Sequence, residues 1–340
     1  MPQGGRGAAP RRAAEWENQS VERNWERAHP FAEVPIEELE RRVRAFFPSA
    51  RVLLAAPQTG GLRNSNYRLT VAHAPSPVAL RIYVADRSAC AREAAVIAEV
   101  DGRVPVARVL AKDAISQPPF AIMEWLDGES LEDVLRDCDV ATALELAADC
   151  GTALAAIHRT RFHVPGFLEV RGGRLSIELP MPAWTPTVLD ALEGTAGKRL
   201  GSELADRVRF AAESSFHEIE QIWREAVLAH GDFKPANLLV RQDAGRWRIC
   251  GVLDWEFACA ATPLLDFAIF LRDERARPAG FGAAFANAYR SAGGVLPTGW
   301  RRLTRITDLL NLLQLLEWSG EAASADLCRL VEHSMNAVES

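Results

Sequence analysis

The stretch His230-Gly231-Asp232-Phe233-Lys234-Pro235-Ala236-Asn237-Leu238-Leu239-Val240 governs how the rest of the chain is read. It opens with polar and small residues and closes on an apolar run, the pattern of a loop that feeds a strand. Asp232 and Asn237 are five positions apart, so one tight loop presents both side chains together. Seventeen residues after Asn237 comes Asp254, in Gly251-Val252-Leu253-Asp254-Trp255-Glu256, again at the end of a strand-like run. A single Asp or Asn in a loop is usually a turn former. That explanation does not cover His230, Asp232, Lys234, Asn237 and Asp254 at once. Lys234 adds weight because only three of the 39 basic residues are lysines, the others being Lys112 and Lys198.

This wording resembles the H-x-D-x-x-x-x-N loop and later metal-binding Asp of protein-kinase-like folds. It is closer still to the aminoglycoside phosphotransferase and choline kinase group, whose loops read H-G-D-x-x-x-x-N and whose second motif reads I-D-W/F-E. Pro263-Leu264-Leu265-Asp266-Phe267-Ala268 resembles the same group's D-P-x-x-D-L-A stretch, with Thr262 where Asp is usual. The resemblance runs over roughly residues 50–275. It implies an α+β, two-lobed protein-kinase-like fold: a small antiparallel β-sheet N-lobe with one helix, and a larger, mostly helical C-lobe. It also implies ATP (or GTP) and Mg²⁺ as cofactors.

The residue types suit that chemistry. Phosphoryl transfer needs positioning and charge neutralisation more than covalent catalysis. Mg²⁺ takes oxygen ligands, which Asn237 and Asp254 would supply. Asp232 would orient the acceptor hydroxyl and accept its proton, and Lys234 would face the transferred phosphate. Gly231 leaves room for the loop backbone. By the resemblance, His230 braces the loop rather than acting as a base. Asp266 is expected to cap or brace the helix that begins near Leu264. Glu256 is a candidate for facing substrate or a second metal, and Cys250 and Cys259 are expected to pack as small buried groups.

Working outward, residues 51–125 read as strand, strand, strand, helix, strand, strand: 51–56, 67–71, 77–84, then the helix 90–100, then 104–110 and 120–125. An additional helix starts near Pro35. In the third strand, Arg81 stands where kinase-like folds place a basic residue for the α- and β-phosphates. Glu93, twelve residues on, would be its helix partner. Arginine offers a planar fork suited to bidentate phosphate contact. Gly60 to Asn66 resembles a short phosphate-covering turn, with Asn64 and Ser65 as nucleotide-facing positions. Met123 to Leu126 would connect the lobes, with the backbone of Glu124 and Leu126 reading the adenine edge.

Beyond Asp127-Gly128 the chain reads as mostly helical: 141–158, 188–192, 202–228, 264–271, 282–291, 300–320 and 322–338. Residues 160–185 read as irregular, and a strand pair 238–240 and 247–253 is joined at Ala244-Gly245. The expected organisation is a flexible tail over 1–30, a nucleotide-binding lobe over 31–126 and a catalytic and acceptor-binding lobe over 127–340.

Composition bounds the partners. The 340 residues are 48% hydrophobic and 25% charged with a formal charge of −6, which argues against nucleic-acid binding by a basic surface. Six cysteines without a C-x-x-C pair suggest free thiols and a cytoplasmic setting. No apolar run reads as a membrane span. The expected assembly is a monomer or homodimer. Only eleven residues separate Asp254 from Asp266 and no A-P-E follows, which favours a small-molecule O-kinase over a protein kinase. For the acceptor, Asp308, Glu317 and Glu321 on the late helices would suit a polycationic aminoglycoside. Trp184, Trp255 and Trp318 would suit a choline cage. A macrolide, nucleoside antibiotic or other hydroxylated natural product is equally compatible. The leading expectation is an antibiotic or related natural-product phosphotransferase, the alternatives being a choline, amino-sugar or other metabolite kinase and a non-catalytic kinase-like binding protein.

Overall fold

The strict alternation of the third strand sets the architecture of the first part of the molecule. The structure is a computed structural model that describes residues 30–58 and 63–339; residues 1–29 of the expected tail and the glycines of the Gly60 turn lie outside the described residues. The elements up to the connector are α1 (Ile36–Arg44), β1 (Arg51–Gln58), β2 (Ser65–Ala72), β3 (Val78–Ile82), α2 (Ala89–Val100), β4 (Val109–Asp113) and β5 (Phe120–Glu124). The five strands form one antiparallel sheet in the order β1-β2-β3-β5-β4. Val78, Leu80 and Ile82 point to one face and are buried with Leu39 and Val43 of α1. The period of two then sends Ala79 and Arg81 to the opposite face, which borders the cleft. The sheet therefore carries two helices, α1, the one expected to start near Pro35, on one face and α2 on the other.

The fourth strand begins later than its apolar pattern suggests. Pro105 has no N–H to give a ladder. Its carbonyl instead accepts from Val252 N at 2.8 Å, and Val106 bridges to Val252, which ties this segment to the catalytic half before β4 starts at Val109.

The second half comprises β6 (Glu129–Ser130), α3 (Leu131–Asp137), α4 (Val140–Ile157), β7 (Gly166–Arg171), β8 (Arg174–Pro180), α5 (Trp184–Glu193), α6 (Thr195–Leu200), α7 (Ser202–Ser214), α8 (Phe216–Trp223), β9 (Val227–Ala229), β10 (Leu238–Asp243), β11 (Arg246–Val252), β12 (Cys259–Ala261), α9 (Leu264–Phe270), α10 (Phe281–Ser291), α11 (Trp300–Trp318) and α12 (Glu321–Glu339). Residues 160–185, expected to be irregular, contain the β7–β8 hairpin. Its turn is Gly172-Gly173, both with positive φ (60° and 77°), between the paired Arg171 and Arg174. The strands are largely half-exposed, so their apolar pattern was weak. The helical reading of 202–228 overran into β9, because three apolar residues have no diagnostic period. Two small sheets, β11-β10-β6 and β8-β7-β12-β9, hold the ends of the catalytic segments.

Contrary to the sequence reading, α4 has the length and apolarity of a membrane span, with a mean hydropathy of 1.5 over 18 residues. Its apolarity has a local cause: α4 is a core helix packed on α10. At Gly151 a Cβ would lie 2.1 Å from Phe285 O, so only glycine permits this approach of the two backbones.

Candidate active site

A loop with one left-handed glycine places the principal side chains. Gly231 has φ 78°, and a Cβ there would lie 2.2 Å from Phe257 O. The turn lets the chain leave β9 and bring Asp232 to the cleft. Lys234 is extended (φ −122°, ψ 157°), which returns its side chain to the side of Asp232; its Nζ lies 3.0 Å from Asp232 Oδ2. Asn237 Nδ2 donates to Asp232 O at 2.9 Å and to Asp232 Oδ2 at 2.8 Å. The amide is thereby oriented, its carbonyl end turned away from Asp232. Asn237 O accepts from Leu253 N at 2.9 Å, tying the loop to the end of β11.

Asp254 follows β11 with φ 64° and ψ 67°, a left-handed conformation unusual for a residue with a Cβ and found where side chains are held for function. Arg81 crosses from β3 to meet it, Nη2 to Oδ1 at 2.5 Å. Arg81 Nε also lies 3.1 Å from Glu93 Oε2, and Nη2 lies 3.7 Å from Glu256 Oε1. Glu93 in turn accepts from Tyr83 Oη at 2.6 Å and from Trp255 N at 3.1 Å. One buried guanidinium thus links the sheet, α2 and the segment after β11. Burial alone would raise the Asp254 carboxyl, but the Arg81 charge overrides it and holds Asp254 below the usual carboxylate range. Burial pushes Glu93 up. Burial, reinforced by the Asp254 charge, pushes Glu256 up to about 7.

His230 is buried, its Nε2 2.9 Å from Leu253 O and its Nδ1 accepting from Asp232 N at 3.2 Å. Burial lowers its pKa, so at pH 7 it is a neutral brace. Asp266, expected to cap or brace the helix near Leu264, turns its carboxylate to the catalytic loop and His158 instead. Fully buried, it accepts from His230 N at 2.8 Å and Gly231 N at 2.9 Å, and lies 3.0 Å from His158 Nε2. It holds the backbone of the catalytic loop from behind. Thr262, standing where the motif usually has Asp, keeps a capping role: its Oγ1 accepts from Leu264 N at 3.4 Å. Glu256 lines the cleft beside Asp254, its carboxylate largely buried and held by neighbours. It accepts from Asn64 Nδ2 at 3.1 Å and lies 3.5 Å from Arg63 Nε. Cys259 is buried as expected, while Cys250 is only half-buried.

Asp232, Lys234, Asn237, Asp254, Arg81, Glu93, Glu124 and Leu126 all line one cleft of about 1540 Å³ between the sheet and the helical part. Asn64 and Ser65 are not among its lining residues. Ser65 Oγ accepts from Ala32 N at 2.8 Å and Asn64 is turned to Glu256, whereas Arg63 and Asn66 reach the cleft wall. Glu124 spends its side chain on Arg108 (2.8 and 3.0 Å) and its N–H on Arg108 O. Sequence reasoning missed Arg63, whose approach to Glu256 depends on a tertiary contact. It also missed the way Asp266 serves two successive backbone N–H groups, which only the folded loop reveals.

A hard divalent cation fits the donors present. Asp254 Oδ2 takes no hydrogen bond among the described residues, and Asn237 has a preset amide oxygen. Two protein oxygens are what a magnesium ion needs when phosphates and water complete its shell. No cluster of three or more His, Cys, Asp or Glu side chains suited to a dedicated metal cage occurs among the described residues.

Fold and site together define a two-lobed, protein-kinase-like small-molecule phosphotransferase. A family model described as the phosphotransferase enzyme family APH matches residues 53–305, and the chain belongs to that family. Among solved structures it is similar to the GDP complex of wild-type aminoglycoside 2′-phosphotransferase-IIIa, with TM-score 0.67, 15% identity, and coverage of 89% of this chain and 99% of that one. It is similar also to the GDP and kanamycin complex of APH(2″)-IIIa (TM-score 0.66, 16% identity, 87% and 97% covered). A thermostable mutant of APH(4)-Ia in ternary complex with ADP and hygromycin B gives TM-score 0.61 at 18% identity, with 89% and 99% covered. No curated protein matches the chain.

Proposed function

We propose that this protein transfers the γ-phosphate of ATP or GTP to a hydroxyl of a small molecule, an antibiotic or related natural product, and so gives resistance or self-protection. The observation that carries the reading is the convergence of Asp232, Asn237 and Asp254 on one cleft wall, with Arg81 reaching them from the sheet. The nucleotide complexes of the similar structures, and the kanamycin and hygromycin B found in two of them, support it.

In this mechanism Asp232 takes the proton of the acceptor hydroxyl as its oxygen bonds to the γ-phosphorus. The bond from that phosphorus to the bridging oxygen breaks, and a nucleoside diphosphate leaves. Lys234, beside Asp232, faces the charge spread over the transferred group, while Arg81, held by Asp254 and Glu93, offers its remaining N–H groups to the preceding phosphates. Asn237 and Asp254 would hold Mg²⁺, which when bound neutralises the phosphate oxygens.

The reading is tested by offering the purified protein Mg·ATP and a panel of hydroxylated acceptors. Nucleoside diphosphate release that depends on one class of acceptor is the expected result. Nucleotide binding without turnover of any acceptor would favour a non-catalytic binding protein. Arg81→Ala strands Glu93, Asp254 and Glu256 without their shared cation. It is expected to raise the apparent KM for ATP at least tenfold and to destabilise the fold by about 3–5 kcal/mol, with Arg81→Lys recovering part of both. Steady-state ATP titration and thermal unfolding check this, and an unchanged ATP dependence would remove Arg81 from the nucleotide site.

A further inference from the structure

Resting on the phosphoryl-transfer reading, we infer that the acceptor is a large hydroxylated molecule with a predominantly apolar body and at most one amine, and not a polycation. The observation is how the helical wall of the cleft disposes of its charges. Asp308, which the sequence offered to a cationic acceptor, has a side chain 1% exposed and is held by Arg272 in a bidentate pair at 2.6 and 3.1 Å. Glu317 is turned to the start of α6, accepting from Ala196 N at 2.9 Å and Thr195 N at 3.4 Å. Those hydrogen bonds lower its pKa and commit it to the fold. Glu132 at the cleft floor is paired with Arg277 at 2.9 Å. Asp273 lines the cleft together with Arg272 and Arg277, whose charges act on it, so an approaching ammonium would meet two cations with it. Glu321, the third expected carboxylate, remains exposed at the rim.

A pocket for several ammonium groups needs several uncommitted carboxylates, because a charge brought out of water must be paired. On this wall Asp133 too is paired, with Arg136 at 2.9 Å, and between its ion pairs the wall presents apolar surface. Leu315, Trp318 and Leu330, from α11 and α12, are the apolar side chains open to the cleft that holds Asp232, backed by the buried Phe270, Leu310 and Leu327. Phe270 connects the two regions, its ring 5.6 Å from that of Phe233, the neighbour of Asp232. The cleft-facing stripe of α11 runs through Thr307, Asn311, Gln314 and Trp318, at spacings of four, three and four. Its polar members are neutral donors and acceptors suited to hydroxyl and carbonyl groups, not to ammonium. Of the three tryptophans that would suit a choline cage, Trp184 and Trp255 are core residues at 0% and 1% exposure, while Trp318, at 87%, can cover an acceptor from the rim, with Trp125 and Trp223 elsewhere on the cleft wall.

The experiment uses the full chain with Mg·ATP and compares hydroxylated macrocyclic lactones carrying at most one amine with aminoglycosides. Phosphorylated product is read by mass spectrometry, and nucleotide binding is measured separately. The lactones are expected to be phosphorylated with kcat/KM at least about a hundredfold above the aminoglycosides. Trp318→Ala, at an exposed position that does not threaten folding, is expected to raise the lactone KM about tenfold with kcat within about twofold. Gln314→Asp is expected to weaken lactone use and to narrow the gap to aminoglycosides. Aminoglycosides used as well as or better than lactones would overturn the inference, as would product from neither set while nucleotide still binds, or a lactone KM unmoved by Trp318→Ala. Absence of Mg·nucleotide binding would overturn instead the phosphoryl-transfer reading beneath it.

Discussion

Asp232→Asn is expected to lower the transfer rate about 10³-fold while leaving nucleotide affinity within about threefold. The amide has nearly the shape of the carboxylate, and its Oδ1 can still accept from Asn237 Nδ2, which now bonds Asp232 Oδ2 at 2.8 Å. The loop therefore keeps its position. What is lost is the anionic oxygen that takes the acceptor's proton, together with the 3.0 Å pairing with Lys234. Arg81 and Asp254, which are expected to meet the nucleotide and pair with each other, are untouched. A rapid-quench or diphosphate-release assay measures the rate, and a nucleotide titration the affinity. Turnover within tenfold of the native protein would mean that another group receives the proton.

Much of that site was legible before any coordinates, for a physical reason. Asp232, Lys234 and Asn237 lie on one short loop whose spacing nearly dictates their proximity. Arg81 and Glu93 follow from a strand of period two leading into the next helix, and they meet at 3.1 Å. The acceptor side was not legible. Whether Asp308 faces the cleft or is neutralised depends on Arg272, 36 residues away, and Glu317 finds its partners more than 120 residues back in the chain. The sequence supplies the charges, and only the packing of α6, α9 and α11 decides which of them remain free. The same holds for Trp184 and Trp255: an indole reads alike from sequence whether it fills a core or walls a pocket. Strand limits failed where hydrophobicity alone was followed, as at Pro105, whose missing N–H delays β4.

Asp266→Ala is expected to have the largest effect on stability and to silence transfer without touching a group at the reacting atoms. The carboxylate is fully buried, and its two oxygens serve the N–H groups of His230 and Gly231 while pairing with His158. Its removal leaves two backbone donors and a ring nitrogen facing a dry cavity, at about 1–3 kcal/mol for each unpaired group. With partial relaxation the loss is expected to be about 3–5 kcal/mol, or a fall in Tm of about 10 °C. Asp266→Asn does not repair this, because its NH₂ end must face a donor where an oxygen accepted before. The loop that presents Asp232 would then be free to shift, and a displacement of about 1 Å is enough to cost about a hundredfold in rate. A role confined to folding predicts that the surviving folded fraction turns over normally. A positioning role predicts that kcat per folded molecule falls well below native at a temperature where the variant remains folded, with the KM for ATP little changed. Calorimetry and turnover measured on the same sample separate the two, and normal kcat per folded molecule would confine Asp266 to the core.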